Sequence, residues 1–267
     1  MVSSLPLPRK TERKTFFILG TGASVNQYTS KEWDTIQANF SVGINYWVMH
    51  DFVPDYFMIE FLGNIEPMLQ VMSMRAKEFS GKSVIVKGNY CNRHHYEGFE
   101  SRVATLPKKI KERLFLAKDF PIPGDNQSDF RRSLRWLDRF GFFRTKNNLG
   151  YLAQSRASIT TAIFQGIKLG FKNIVLCGVD LNNCENFFTA DQEKYLDKGF
   201  PIPVPINVDR KEQNKARHWT DRMSDNSLRV SEIIKIIQEE LGKKTGIEIF
   251  VGSKSSSLYP NIPLYEW

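Results

Sequence analysis

The first residues suited to ligand chemistry form a glycine-rich turn directly after an apolar run. The turn offers four candidate ligand contacts, which are Gly20, Thr21, Gly22 and Ser24. Two glycines let a backbone approach a phosphate or a nucleotide closely. A dinucleotide fingerprint would have a third glycine where Val25 stands and an acidic residue near Asn45. An NAD-dependent enzyme is therefore disfavoured, and a tight turn without a ligand is the plain structural alternative.

Polar residues also follow other predicted strands. In open α/β sheets, ligands bind outside the carboxyl ends of the strands, which makes Asn45, Glu60 and Asp180 candidate pocket residues. Asn45 offers both a donor and an acceptor, which suits a ribose or a base edge. Ser158 begins a predicted helix, where free N–H groups favour an anion, although simple N-capping explains it equally well. Arg156 is suited to pair with the same anion, and a surface arginine is the alternative.

One histidine stands out as a candidate general base. His218 lies in a polar stretch before the last predicted helix, and Asp221 is close enough in sequence to orient it. His50 follows an aromatic stretch, where a packed histidine is expected. His94 and His95 fall in an irregular region.

Several other chemistries lack their motifs. There is no D-x-D triplet, P-loop, G-x-S-x-G elbow or zinc signature, so chemistry without a metal ion is predicted. Cys91, Cys177 and Cys184 have no C-x-x-C spacing, and Cys177 lies in an apolar strand, so these residues are interpreted as thiols and not as disulfides or zinc ligands.

The elements that position these residues alternate between strands and helices. This alternation predicts an α/β fold: one modified Rossmann-like domain over residues 1–267, with a mostly parallel sheet and helices on both faces. The predicted strands span residues 15–19, 40–44, 56–59, 83–86, 173–180 and 246–251. The predicted helices include one that begins near Thr29 and others at residues 65–79, 158–169 and 227–241. Irregular insertions are expected near 89–151, as a lid-like region, and near 182–217, where prolines disfavour regular structure.

Composition restricts the class of protein. The chain has 267 residues, of which 41% are hydrophobic and 25% charged, and no apolar run approaches the roughly 18 residues that span a bilayer. An integral membrane protein is therefore not expected. The first residues lack the apolar core of a signal peptide, which predicts a cytoplasmic protein. The net charge of +8 favours anionic partners, and charge alone does not choose between nucleic acid, phosphorylated metabolites and a membrane surface.

Taken together, these segments resemble the bacterial sialyltransferases that use CMP-sialic acid to decorate lipooligosaccharide. Residues 18–24 are similar to the opening strand and G-N-G-P-S loop of that family, and Asn45 falls where the family has an asparagine contacting the nucleotide. Residues 158–180 look like its Ser-led helix followed by a strand ending in G-[IV]-D. The chain departs from the family at Asn182 and Glu60, where the family has a tyrosine and an asparagine. Tyr195 corresponds only loosely to a second family tyrosine, and Phe188 is the other candidate for that position.

The resemblance implies an inverting, metal-independent transfer of sialic acid, another nonulosonate or Kdo from a CMP donor, with no cofactor. His218 would be the base, and Arg156, Ser158, Asn182, Tyr195 and the glycine-rich turn would hold the donor. It implies a glycan or glycolipid acceptor such as lipooligosaccharide, peripheral association with the inner membrane, a homo-oligomer and no nucleic acid partner. Two alternatives stay open: a pyrophosphokinase of the archaeal pterin type, and a nucleotide- or glycan-binding module without catalysis.

Overall fold

Eight strands form one parallel sheet in the computed structural model, which describes residues 14–60, 65–88, 99–143, 151–182, 184–203, 218–221 and 228–267. The strand order is β6-β5-β4-β3-β2-β1-β7-β8, and every adjacent pair is parallel. The strands are β1 (Thr15–Leu19), β2 (Phe40–Ile44), β3 (Tyr56–Glu60), β4 (Ser83–Gly88), β5 (Leu114–Pro121), β6 (Tyr151–Gln154), β7 (Asn173–Cys177) and β8 (Glu248–Val251).

Helices cover both faces of this sheet. Their bounds are α1 (Ser30–Ala38), α2 (Glu66–Met74), α3 (Phe99–Thr105), α4 (Lys108–Lys111), α5 (Gln127–Arg139), α6 (Ser158–Leu169), α7 (Phe187–Ala190), α8 (Gln192–Asp197) and α9 (Val230–Ile237). Helices α5, α6 and α9 enclose one apolar core. Helices α1, α2, α4, α7 and α8 contribute to a second core on the opposite face. The predicted α/β Rossmann-like fold is therefore confirmed.

The order of the strands locates the topological switch point. Strands β1 to β6 progress in one direction, and β7 then returns to the other side of β1. The carboxyl ends of β1 and β7 meet there, and they carry Gly20–Ser24 and the segment after Cys177. In doubly wound sheets this position is the usual ligand crevice.

The expectation of an irregular insertion at residues 89–151 is wrong for much of that range. Residues 114–121 and 151–154 are the sheet strands β5 and β6, and α5 contributes Phe130 and Leu134 to the core on one face of the sheet. The hydrophobic pattern is faint because α5 buries Phe130 and Leu134 among four arginines. The second predicted insertion contains the short helices α7 and α8, and its residues 204–217 lie outside the described residues.

The clearest predicted strand is shorter than expected. It ends at Cys177, not at residue 180, because Gly178 takes a positive φ of 63° that turns the chain out of the sheet. Cys177 is a buried free thiol, as expected. Among the described residues, no helix combines the length and apolar character needed to cross a membrane.

Candidate functional site

The glycine-rich turn packs tightly against the segment that follows β7. The Gly20 amide donates to the Cys177 carbonyl at 2.7 Å, and the Gly22 amide donates to the Gly178 carbonyl at 2.8 Å. A Cβ atom on Gly20 would lie 2.6 Å from the Gly178 carbonyl oxygen. Backbone packing therefore explains both glycines without a ligand.

Asp180 fastens this turn through its side chain. One carboxylate oxygen accepts from the Ser24 hydroxyl at 2.5 Å and the other accepts from the Ser24 amide at 3.0 Å. Both residues are buried, and the Thr21 hydroxyl donates to Asn186 Oδ1 at 2.7 Å. The polar groups of Ser24 and Asp180 are thus turned towards each other, whereas residues 20–22 keep partial exposure. The proposed contacts of residues 20–22, Ser24 and Asp180 with a donor stay predictions.

A row of charged residues lies at the carboxyl ends of neighbouring strands. Glu60 ends β3 and is in register with Lys87 of β4, and Lys87 is in register with Ala117, two residues before Asp119 on β5. Since side chains alternate along a strand, Glu60, Lys87 and Asp119 project from the sheet face covered by α6. Glu60 is a candidate from the sequence, whereas Lys87 and Asp119 become candidates only in the folded sheet.

Lys87 is the most deeply buried charge of this row. Its side chain is 2% exposed, and its ammonium group forms an ion pair with Glu60, whose side chain is 23% exposed. The ammonium group also lies 3.4 Å from the Ser158 hydroxyl at the start of α6. Asn45, with a φ of 50°, accepts the Glu60 amide on its side-chain oxygen at 3.1 Å. Three of the predicted ligand contacts therefore belong to one hydrogen-bonded group around Lys87.

Asp119 faces a different environment. Its Oδ1 atom is buried and accepts no hydrogen bond within the described part of the chain. Burial raises the pKa of Asp119 to about 6, the negative charge of Glu60 adds to the rise, and the positive charge of Lys87 opposes it. A carboxyl group in this range changes its charge just below neutral pH.

The two predicted catalytic residues meet at Thr220. Arg156 has a φ of 59°, and its Nε donates to the Thr220 carbonyl at 2.9 Å. His218 Nδ1 lies 2.7 Å from the Thr220 hydroxyl, and the His218 amide donates to the Leu181 carbonyl at 2.9 Å. Arg156 and His218 therefore lie near the carboxyl end of β7 and the beginning of α6.

Asp221 Oδ1 accepts the Ser231 amide at 2.9 Å in the first turn of α9, and a role of Asp221 in orienting His218 stays a prediction. One alternative about capping is wrong. Ser158 is not an N-cap: that position belongs to Ala157, which makes no side-chain cap. The amino end of α6 consequently keeps N–H groups near Lys87 and Arg156, where its dipole favours negative charge.

A cavity of about 400 Å³ opens beside these residues. Its lining comes from the ends of β5 and β6 and from α9, namely Asp119, Pro121, Ile122, Pro123, Gly124, Asp125, Gln154, Ser155, Arg156, Leu228 and Ile233. A larger cavity of about 590 Å³ runs between α2 and α3 and contains none of the predicted site residues. We place the candidate site at the smaller cavity because its lining includes Asp119 and Arg156.

The remaining predicted residues lie elsewhere. Tyr195 is fully buried on α8 and packs against Phe187, 5.6 Å between ring centroids, and its contact with a ligand stays a prediction. The side-chain Nδ2 of Asn182 donates to the Ser255 carbonyl at 2.8 Å. His50 is the packed residue that was expected: it stacks on Trp47, and burial lowers its pKa to about 3.

Within the described ranges, no group of three His, Cys, Asp or Glu side chains is arranged to hold a metal ion. No protein-family model matches the chain, and no curated protein matches it. Among solved structures, the chain is similar to the monofunctional alpha-2,3-sialyltransferase Cst-I from Campylobacter jejuni. The TM-score is 0.49 and the identity 13%, over 99% of this chain and 84% of that one.

Proposed function

We propose that this protein is a glycosyltransferase that moves sialic acid, another nonulosonate or Kdo from a CMP donor to a glycan or lipooligosaccharide acceptor. The observation that carries the proposal is the meeting of Arg156 and His218 at Thr220, beside the amino end of α6 and a cavity at the strand ends. The similarity of residues 18–24 and 158–180 to the sialyltransferase blocks supports the choice of donor.

The anionic half of the donor suits the side of the site that holds α6 and Arg156. A phosphate leaving group gains negative charge during transfer, and fixed N–H donors with a guanidinium stabilise that charge without a metal ion. The net charge of +8 also favours an anionic donor and an anionic membrane surface. Metal independence, peripheral membrane association and a homo-oligomer are parts of the proposal.

The contact between His218 and Thr220 suggests how the base is prepared. Nδ1 contacts the Thr220 hydroxyl at 2.7 Å and accepts the Thr220 amide at 3.3 Å, so these contacts fix the position of the ring and leave its tautomer open. The proposed step uses the tautomer in which Nε2 is unprotonated and accepts the proton of the acceptor hydroxyl. The acceptor oxygen then attacks the anomeric carbon as the bond to the CMP phosphate breaks. The CMP leaves with the electron pair of that bond.

A nucleotide panel tests the donor. CMP, CDP, UDP, GDP, ATP and NAD would each be added with and without magnesium while thermal unfolding is followed. A nucleotide at about 100 times its dissociation constant adds roughly 2.7 kcal/mol to the unfolding free energy. We expect stabilisation by CMP that does not need magnesium. Stabilisation by ATP or UDP only with magnesium would exclude this donor and favour a pyrophosphokinase or another transferase class.

Substitutions at the proposed base test the mechanism. We expect His218→Gln to lower the rate of CMP release from a CMP-linked acidic sugar by about 10²–10⁴-fold while CMP binding persists. Thr220→Val removes the hydroxyl that contacts Nδ1 and is expected to lower the rate about tenfold, whereas Thr220→Ser keeps activity. Full activity in His218→Gln would remove this residue as the base.

A further inference from the structure

The lining of the 400 Å³ cavity combines carboxylates with apolar surface. Asp119 and Asp125 are acidic, Arg156 is the basic residue of the lining, and Pro121, Ile122, Leu228 and Ile233 are apolar. The volume lies within the roughly 300–1,000 Å³ typical of small-molecule sites. Side chains of this kind suit a ring with hydroxyl groups on its edge and C–H groups on its face.

Asp119 is the polar group of the cavity that most needs a ligand. Its buried Oδ1 accepts no hydrogen bond from the described residues. An unsatisfied buried acceptor costs about 1–3 kcal/mol, and a carboxylate that turns towards the hydroxyl of a ligand in the cavity would recover that free energy. The hydrogen bonds of the Lys87 ammonium group go to Glu60 and Ser158, and Lys87 acts on Asp119 through its charge.

The charges of the cavity discriminate between ligands. When Asp119 is ionised, the lining carries two carboxylates against the single guanidinium of Arg156. A ring that bears its own carboxylate would be repelled here, whereas the hydroxyls of an uncharged ring can donate to Asp119.

We propose that Asp119 is a specificity residue that binds the hydroxyls of an uncharged sugar ring in this cavity and rejects the corresponding uronic acid. The inference rests on the proposed function in one respect: the ring belongs to the acceptor, and the donor lies towards Arg156 and α6. The binding claim itself concerns only the cavity and can be tested without turnover.

The test compares methyl β-glucoside with methyl β-glucuronide, which differ in one carboxylate, by saturation-transfer NMR at a pH above the pKa of Asp119. We expect the glucoside to bind the wild-type protein about tenfold more tightly than the glucuronide. Asp119→Asn should abolish this preference, and Asp119→Ala should weaken glucoside binding about tenfold. Glu248→Gln removes one negative charge from an exposed residue at the opposite end of the sheet and should change neither affinity.

The outcomes separate this inference from the proposed function. Equal binding of both glycosides to wild-type protein, no binding of either, or full glucoside affinity in Asp119→Ala would overturn the inference. CMP titrated into the same samples tests the donor separately. Binding of CMP without discrimination between glycosides leaves the transferase standing, whereas discrimination without CMP binding leaves the sugar site standing and removes the donor.

Discussion

Lys87 is buried more deeply than the carboxylate that neutralises it. Its side chain is 2% exposed and that of Glu60 is 23% exposed. A carboxylate near the surface can turn towards water when its partner is removed, whereas a buried ammonium group cannot. Substitution of Glu60 and substitution of Lys87 should therefore lower the free energy of unfolding by different amounts.

We expect Glu60→Gln to lower the free energy of unfolding by about 3–5 kcal/mol, because it leaves a buried positive charge without a counter-ion. Lys87→Met fills a similar volume and should cost less than about 2 kcal/mol. Urea unfolding measures both. Lys108→Met, in a pair whose side chains are 88% and 59% exposed, is the control and should change little. An equal loss in Glu60→Gln and Lys87→Met would contradict the asymmetry.

The carboxyl group of Asp119 should make the stability of the protein depend on pH. Its pKa is raised to about 6 in the folded protein, mainly by burial, from the usual 3.8 of an aspartate. The folded state therefore holds the proton more tightly than the unfolded state, and the stability that this proton contributes is full below pH 3.8 and lost as pH rises through about 6. We expect wild type to lose stability relative to Asp119→Asn across this window in urea unfolding. Parallel curves for the two proteins would show that the carboxyl group titrates normally.

The sequence located some residues of the site and missed others. Arg156 and His218 were found because an arginine before a helix and a histidine in a polar loop have recognisable roles. Lys87 and Asp119 were missed because a charged residue near a strand end usually points into solvent. The unbroken apolar run Val84–Val86 before Lys87 is the sequence signal that could have indicated a buried lysine. Glu60, Lys87 and Asp119 come together only through the pairing of β3, β4 and β5.

At the scale of elements, α6 approaches β1 through a glycine. A Cβ atom on Gly166 would lie 2.5 Å from the ring of Phe16 and 3.2 Å from Ile174. Phe16 is held in place by stacking on Phe40 and Phe171. Helix α6 can therefore lie this close to β1 only because Gly166 has no side chain.

We expect Gly166→Ala to destabilise the protein by about 1–3 kcal/mol, although alanine favours helices by about 1 kcal/mol over glycine. The reason is overpacking against Phe16. Denaturant unfolding measures the change, and Phe16→Leu in the same chain should recover part of it by removing the ring. A more stable Gly166→Ala variant would mean that α6 moves away from the sheet without cost.

Elements with a strong hydrophobic pattern were predicted well. Strands β1 and β2 and helix α6 have the expected bounds, because all their residues are buried and the pattern is unbroken. The elements β5 and α5 were missed because charged residues interrupt their hydrophobic patterns. Lys118 and Asp119 lie in β5, and α5 is rich in arginine. Such elements acquire their structure from contacts that are distant in sequence.

At the scale of the molecule, the last residue packs onto the first strand. The Trp267 ring stacks on Phe17 of β1 at 5.7 Å, and its Nε1 donates to the Gly252 carbonyl at 3.2 Å. The residues before it bridge to β8, where Leu264 pairs with Val251. This segment thereby covers the edge of β8.

We expect Trp267→Ala to cost about 2–3 kcal/mol, less than a fully buried tryptophan would, because the side chain is half-buried. Thermal unfolding provides the measurement. The neighbouring exposed Glu266 is the matched control, and Glu266→Ala should stay within about 0.5 kcal/mol of wild type. Equal stability of the two variants would show that the aromatic contact contributes nothing.

The strand order also determines when β1 can be completed on the ribosome. One edge of β1 pairs with β2, which follows within a short stretch of chain, and the other pairs with Asn173–Cys177. For most of translation this buried strand has an open edge and an uncovered apolar face, because α6 is also made late. Open apolar edges are the sites where nascent chains associate wrongly. β1 is therefore the segment whose protection by chaperones should matter most for the yield of folded protein.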